Sequence, residues 1–323
     1  MAETPPLVGS SPVDHPDESP FTFVAVPDTQ KYSETDPAPF DAITSWIRDN
    51  VDAERIALVL HEGDVVNGPD AEPEQFERAT AAIECLEETD VPLVLAIGNH
   101  DYDTLPGRSA TAFEKVFPTD RFADRSWWGG TADGTCYNAY VEFETADESW
   151  LAFALELFPR ERILAWADDV IAAHPDHHVA ICTHGYLYHD GTPIDEGDRW
   201  SKLSYGVTGH NGDELWDRFV SRHPGIEFVV SGHVLCSGNA YRRQLPVDGS
   251  PVHQLLANYQ SLDGGRGYLT LVRWYRDADA LTVETYSPML EQFHPNPDLH
   301  FRVDHAFTPD DRTISGRFVN TRK

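Results

Sequence analysis

A mixed α/β fold is predicted for this sequence by two observations. Short apolar runs rich in β-branched residues alternate with stretches whose apolar positions recur at helical spacing, and beyond about residue 230 the alternation gives way to strands. With 323 residues, 41% of them apolar and 11% aromatic, the chain holds enough hydrophobic material for a substantial core, which excludes global disorder.

Phe21 to Val26 is the first strand, followed by a Pro27-Asp28-Thr29-Gln30 loop and a helix over Phe40 to Asn50 that puts Phe40, Ile43, Trp46 and Ile47 on one stripe. Arg55 to Leu60 is the next strand. It ends at a Gly63-Asp64 loop, and Glu72 to Glu88 reads as a helix turning Phe76, Ala79, Ile83 and Leu86 inward. A third strand, Pro92 to Ile97, runs into Gly98-Asn99-His100-Asp101. Tyr137 to Phe143 and Trp150 to Leu155 read as neighbouring strands, and Pro159 to Ala173 as a helix with proline in its first turn. His178 to Cys182 is a strand, Asp213 to Arg222 a helix, and Ile226 to Val230 a strand ending at Ser231-Gly232-His233. Tyr241 to Leu245, Val252 to Leu256, Tyr268 to Tyr275 and Leu281 to Tyr286 complete the strands. No repeat and no Pro/Gly linker interrupts residues 21 to 290, so one domain is expected over 21–308, between a loose arm at 1–20 and a polar tail at 309–323.

Fifty-four acidic against 24 basic residues give a formal charge of −30, and only four of the basic residues are lysine. Too little cationic surface remains for a nucleic-acid scaffold. Acid spread along the whole chain suits a halophile's cytoplasm at molar salt, where the Debye length falls to about 3 Å; biased codon usage in an ordinary acidic protein is the other reading. The first twenty residues lack a basic start and an apolar run, and no stretch approaches the ~18 apolar residues of a membrane helix, so neither secretion nor a membrane partner is expected. Cys85, Cys136, Cys182 and Cys236 are too scattered for a disulfide frame or a zinc knuckle and read as reduced thiols.

Chemistry gathers where apolar strands end. Asp28, Asp64, Asn99, His184 and His233 each follow a predicted strand by a few residues, at the edge where open α/β sheets bind ligands. Singly, each has a structural explanation: a turn aspartate, a loop cap, a satisfied buried histidine. Together, with glycine beside four of them, they point to backbone passing close to something small. Two carboxylates, an amide carbonyl and imidazoles, with no thiolate, suit a divalent cation such as manganese, iron, cobalt or zinc. Asp64 is the natural shared anion of a cation pair about 3.5–4 Å apart.

The strings Val26-Pro27-Asp28-Thr29-Gln30, Gly63-Asp64-Val65-Val66-Asn67, Gly98-Asn99-His100-Asp101, Thr183-His184-Gly185 and Gly232-His233-Val234-Leu235 resemble, in order, the five blocks of the calcineurin-like metallophosphoesterases. Phe158-Pro159-Arg160, Leu255-Leu256-Ala257-Asn258-Tyr259-Gln260 and Thr285-Tyr286-Ser287-Pro288 resemble a subgroup whose first block carries Gln in place of His. The resemblance implies a four-layer αββα sandwich, two mixed β-sheets flanked by helices, with a two-metal centre at one edge. By position, Asp28 and Gln30 would belong to the first metal, Asp64 would bridge, and Asn99, His184 and His233 would hold the second. His100, oriented by Asp101, would assist the leaving group while a metal-bound hydroxide attacks phosphorus in a small phosphomonoester or phosphodiester.

Two departures bear on the first metal. Leu235 stands where most members have a second histidine, and Gln30 offers only an amide oxygen, so this site is expected to be oxygen-rich and weaker. His61 and His253 are substitutes by residue type alone, and both fit structural roles. A metal-binding module without turnover and a hydrolase of non-phosphate esters remain as other readings. His174, His177 and His178 are expected to cap helix carbonyls, the long stretch from Tyr186 to Asn211 to rim the cleft, and Trp127 and Trp128 to plug the core or wall the cleft.

Overall fold

A computed structural model describes residues 10–68, 73–145, 148–235, 238–262 and 265–308, and the backbone of 314–316. The strands are β1 (Phe21–Val26), β2 (Ile56–His61), β3 (Leu93–Leu95), β4 (Trp128–Thr131), β5 (Ala139–Glu144), β6 (Ser149–Leu155), β7 (His178–Thr183), β8 (Ile226–Ser231), β9 (Gly238–Gln244), β10 (Val252–Asn258), β11 (Leu269–Tyr275), β12 (Ala280–Ser287), β13 (Gln292–Phe293), β14 (Phe301–Asp304) and β15 (Ile314–Gly316). The helices are α1 (Gln30–Thr35), α2 (Ala38–Asn50), α3 (Pro73–Glu87), α4 (Thr111–Val116), α5 (Glu161–Ala173), α6 (Lys202–Tyr205) and α7 (Gly212–Arg218).

Two mixed sheets result. One runs β13-β12-β11-β1-β2-β3 with β14 on β12, the other β15-β9-β10-β8-β7-β6-β5-β4. Aromatic side chains fill the space between them: Phe23 and Trp274 of the first sheet meet Trp150 and Phe228 of the second, the Phe23 and Trp150 rings lying 5.1 Å apart. Helices cover the outer faces. On α2, Phe40, Ile43 and Ile47 are buried and Trp46 reaches Tyr286, while on α5 Trp166 packs against Phe153 and Tyr140. Central strands are therefore buried on both sides, whereas β5 alternates buried and open residues. This is the expected four-layer αββα arrangement.

Parallel pairing sets the functional edge. In register, β1 lies beside β2 and β2 beside β3, and β6, β7, β8 and β10 are parallel in the other sheet, so these strands deliver their carboxyl ends to one rim.

The structure departs from expectation in several places. Gln30 is not in a loop but opens α1, and Pro159 lies outside α5, which begins at Glu161 after Arg160. The helix expected over 213–222 ends at Arg218 and continues as a 3₁₀ turn, Val220–Arg222. Residues 1–9 lie outside the described residues, while the rest of the expected arm packs on the first sheet, Ser11 donating to buried Glu284 and His15 meeting Tyr275. β15 falls in the expected tail and pairs with β9. His174 caps the Val170 carbonyl of α5 as expected; His177 and His178 instead meet Glu142 and Glu227. Trp127 is buried in the core and Trp128 packs on Phe122. Cys85, Cys136 and Cys182 are free thiols; Cys236 lies outside the described residues.

Candidate metal centre

All six side chains expected at a metal centre, and the His100-Asp101 pair, lie along that rim. Asp28 follows β1, Asp64 follows β2, Asn99 follows β3, His184 follows β7 and His233 follows β8. Asp28, Asp64 and His184 each present a ligand atom within 4.8 Å of the other two, and all three are buried. Glycine allows this crowding: a Cβ on Gly98 would stand 2.1 Å from an Asp64 carboxylate oxygen, and one on Gly232 2.0 Å from Asp28.

Hydrogen bonds aim each group. His184 Nδ1 lies 2.8 Å from the Glu62 carbonyl, which can only accept, so Nδ1 carries the proton and Nε2 turns to Asp64 Oδ2 and Asn99 Oδ1, each 3.3 Å away. His233 is turned the other way round. Its Nε2 donates to the Trp200 carbonyl at 3.0 Å, which leaves Nδ1 as the free lone pair, with the His184 ring 4.8 Å distant. Asp64 stands between the two halves: Gln30 Nε2 donates to its Oδ2 at 3.0 Å and the His100 backbone N–H to its Oδ1 at 2.8 Å. Gln30 Oε1 is buried and has no hydrogen-bond partner among the described residues.

His100 is positioned differently from the expectation. Its Nδ1 donates to the Asn67 carbonyl at 3.1 Å, leaving Nε2 for the cleft. Asp101 does not orient it, because the Asp101 carboxylate is taken up by the N–H groups of Val66 and Gly98 at 3.0 and 2.9 Å and so ties the two loops together. His61 and His253 have structural roles. His61 meets Thr29 Oγ1 and the Gly63 N–H, and His253 the Tyr241 hydroxyl and the Ala306 carbonyl.

Three neighbours of Asp28 were not singled out as site residues. Asn258 and Gln260, at the end of β10, donate their amides to Asp28 Oδ2 at 3.0 and 2.7 Å. Their string, Leu255 to Gln260, was visible as a subgroup motif; its contact with Asp28, over 230 positions away, was not. Glu62 is fully buried with both carboxyl oxygens unpartnered among the described residues, and burial, reinforced by the charge of Asp28, holds its acid well above the usual carboxylate range.

The electrostatics have one theme. Burial raises Asp28 to about 7 and Asp101 to about 8, each helped by the charge of Asp64. Burial would raise Asp64 too, but His184 brings it down to about 2, and burial of His184 is outweighed by Asp64 and Asp28, which lift it to about 9. Burial and the neighbouring His184 push His233 down to about 3. Four buried acids, Asp28, Glu62, Asp64 and Asp101, thus crowd around one protonated imidazole, and added positive charge would favour their ionised forms. Carboxylate and amide oxygens with imidazole nitrogens, together with the orphaned Gln30 Oε1, fit a hard or borderline divalent cation.

Above the centre opens a cleft of about 200 Å³ floored by Gln30, Asp64, Asn99 and His100. The expected rim from Tyr186 to Asn211 is built in: it contributes Trp200 and Tyr205 to the cleft and carries α6.

A model of the calcineurin-like phosphoesterase family matches residues 21–237. The chain is 31% identical over 281 residues to the uncharacterized protein YvnB of Bacillus subtilis (strain 168); the match covers 84% of this chain and spans 20% of that protein, about a fifth of its length. Two solved structures share the fold at 13% identity. A dimetal phosphatase from Danio rerio has a TM-score of 0.54, covering 88% of this chain and 99% of that one. The purple acid phosphatase PPD1 from yellow lupin (Lupinus luteus) seeds has 0.53, covering 93% and 58%. No helix among the described residues is long and apolar enough to cross a membrane. With five ordered blocks brought to one rim of the sandwich and the family pattern matched over most of it, the chain belongs to the calcineurin-like phosphoesterase family.

Proposed function

We propose that this chain hydrolyses small phosphomonoesters or phosphodiesters with two divalent cations, manganese, iron or zinc, held by Asp28, Gln30, Asp64, Asn99, His184 and His233. The observation that carries this reading is the cluster of buried ligand atoms from Asp28, Asp64 and His184 beneath an open cleft. The cations, when bound, supply Lewis acidity toward the phosphoryl oxygens and a nucleophile at neutral pH. The chain's own residues do the rest. Asp64 and Asp28 set the negative charge that keeps the cations in place, and Asn258 and Gln260 fix the Asp28 carboxylate. His100 Nε2, its ring held by the Asn67 carbonyl, meets the leaving oxygen and hands it a proton. The first site, with Gln30 and Leu235 in place of two imidazoles, binds its cation more weakly than the second.

The charge of −30 supports work at molar salt, and the unpaired thiols among the described residues support a reducing cytoplasm. The impaired first site favours one competing reading, a metal-binding module without turnover. Aryl phosphate hydrolysis with added manganese at high salt separates the two: His100→Asn lowers kcat by about 10²–10⁴-fold, and phosphate or vanadate inhibits competitively. Equal inertness of wild type and His100→Asn with every divalent metal would leave only the binding module.

A further inference from the structure

The residues that line the cleft are of two kinds, and the difference bears on what leaves the phosphorus. Gln30, Asn67, Asn99, His100 and Gln260 are polar. Tyr205, Leu235 and Trp200 offer apolar surface. Leu235 is 45% exposed, and Leu203, two residues before Tyr205 on α6, is 59% exposed, among the few large apolar side chains the described surface leaves open. A lone exposed leucine needs no explanation, but Leu235 shares the lining of the cleft with two aromatic residues, over a centre that otherwise gathers charge.

The two aromatic residues are held in place. The Tyr205 ring lies 5.3 Å from the ring of His233 and 6.4 Å from that of Phe158. Trp200 is anchored through its carbonyl to His233 Nε2, and Arg199 stacks over its ring at 4.9 Å. Gly206, in the left-handed region at φ 65°, closes α6, and Asn211 accepts the Lys202 N–H at its start. An apolar surface fixed beforehand loses little entropy when a ring settles on it.

Charge argues the same way. Among the described residues lining the cleft, Lys31 is the one lysine or arginine, and its ammonium already pairs with Glu34 at 2.8 Å. Within that lining a second phosphate on the leaving group would meet this paired ammonium, while Arg199 beside it lies against the Trp200 ring. At about 200 Å³ the cleft is also smaller than the ~300–1,000 Å³ of drug-sized ligand sites.

We propose that Tyr205, Leu235 and Trp200 form an apolar seat for the leaving group, selecting phosphate esters of uncharged alcohols that carry a single aromatic ring. This rests on the phosphoesterase reading for its catalytic part. Ring burial against such a wall contributes through apolar area and offset or edge stacking.

Benzyl phosphate and ethyl phosphate test it, because both release a primary alcohol and differ mainly in the ring. With manganese at high salt, kcat/KM for the benzyl ester exceeds that for the ethyl ester by at least tenfold, and Tyr205→Ala or Leu235→Ser brings the ratio to within threefold of unity. Trp200→Ala does the same while keeping the backbone carbonyl that holds His233. Calorimetry with phenylphosphonate and methylphosphonate supplies a second readout, the phenyl compound binding at least tenfold more tightly in wild type and not in Tyr205→Ala. Turnover of both esters with equal kcat/KM and equal phosphonate affinities overturns the seat and leaves the phosphoesterase standing. Tighter phenylphosphonate binding that depends on Tyr205, with no turnover of either ester, keeps the seat and removes the phosphoesterase. If neither ester is turned over and neither phosphonate binds, both fall.

Discussion

Asp28 is the side chain on which the centre's less visible neighbours converge. Its Oδ2 accepts the amides of Asn258 and Gln260, and the His233 N–H lies 3.3 Å from both of its oxygens. Donors of this kind orient a ligating carboxylate, and their loss typically costs 10–100-fold in metal affinity. Asn258→Ala combined with Gln260→Ala is therefore expected to weaken manganese binding by about that factor while sparing the fold, which calorimetric metal titration and circular dichroism check together. Leu235→His acts in the opposite direction. Leu235 lines the same cleft as Gln30 and Gln260, so on the proposed two-cation reading an imidazole there is expected to add a nitrogen donor to the first site and raise the weaker of two affinities in the titration. An unchanged weaker affinity would mean that Leu235 does not border the first cation. Gln30 and Leu235 were legible as departures from the resemblance, but Asn258 and Gln260 gave no sign of touching Asp28. Side-chain amides occur everywhere in loops, and only the pairing of β10 beside β8 brings these two across.

At the scale of elements, the loops after β2 and β3 interlock. Asp64 takes φ 51°, in the left-handed region, and Asp101 ties Val66 to Gly98. Gly98→Ala would set a Cβ 2.1 Å from Asp64 Oδ1 and 2.4 Å from the Asp64 backbone nitrogen. Because the obstruction includes main chain, the loops must separate. A loss of about 1–3 kcal/mol in denaturant unfolding is expected, along with metal affinity reduced well beyond that of Gly107→Ala, whose nearest neighbour is a threonine hydroxyl at 3.3 Å. Equal effects of the two substitutions would deny Gly98 its role. The strong elements were readable because their apolar spacing is unambiguous: β1, β2, α2, α3 and β7 lie within two residues of their expected bounds. Short ones were not. α1, α4 and α6 span six residues or fewer, and β13 only two, too short to show a period, so tertiary contacts decide them.

Across the whole molecule, a charge of −30 must be tolerated by one compact body. Self-repulsion weakens as salt screens it, so raising KCl from 0.1 to 2 M is expected to lift Tm by at least about 5 °C, on the order of 3 kcal/mol for a chain of this length. A Tm that falls or stays level would remove the molar-salt reading. Acid acts through buried neutral histidine. Burial holds His253 down to about 3, with Glu227 opposing and Arg243 and Arg276 adding to the shift. Its folded pKa lies below the unfolded value of 6.5, so the unfolded chain takes the proton first and stability falls as pH drops through 6.5 toward 3. By pH 5 the loss is about 2 kcal/mol, and His253→Gln should flatten the slope of unfolding free energy between pH 7 and 5.

The amino-acid sequence by itself determined the order of the main strands and helices, the excess of acid, and the residue types able to hold a divalent cation, because apolar period and side-chain chemistry are local properties. Only the tertiary structure decided which of those groups meet. Parallel register sends the carboxyl ends of β1, β2, β3, β7, β8 and β10 to one rim, and that register depends on two sheets packing face to face. The turning of His100 by the Asn67 carbonyl instead of Asp101, the hold of Asn258 and Gln260 on Asp28, and the presence of Trp200, Tyr205 and Leu235 in the lining of one cleft all follow from contacts between segments far apart in the chain. Local spacing carries no information about such contacts.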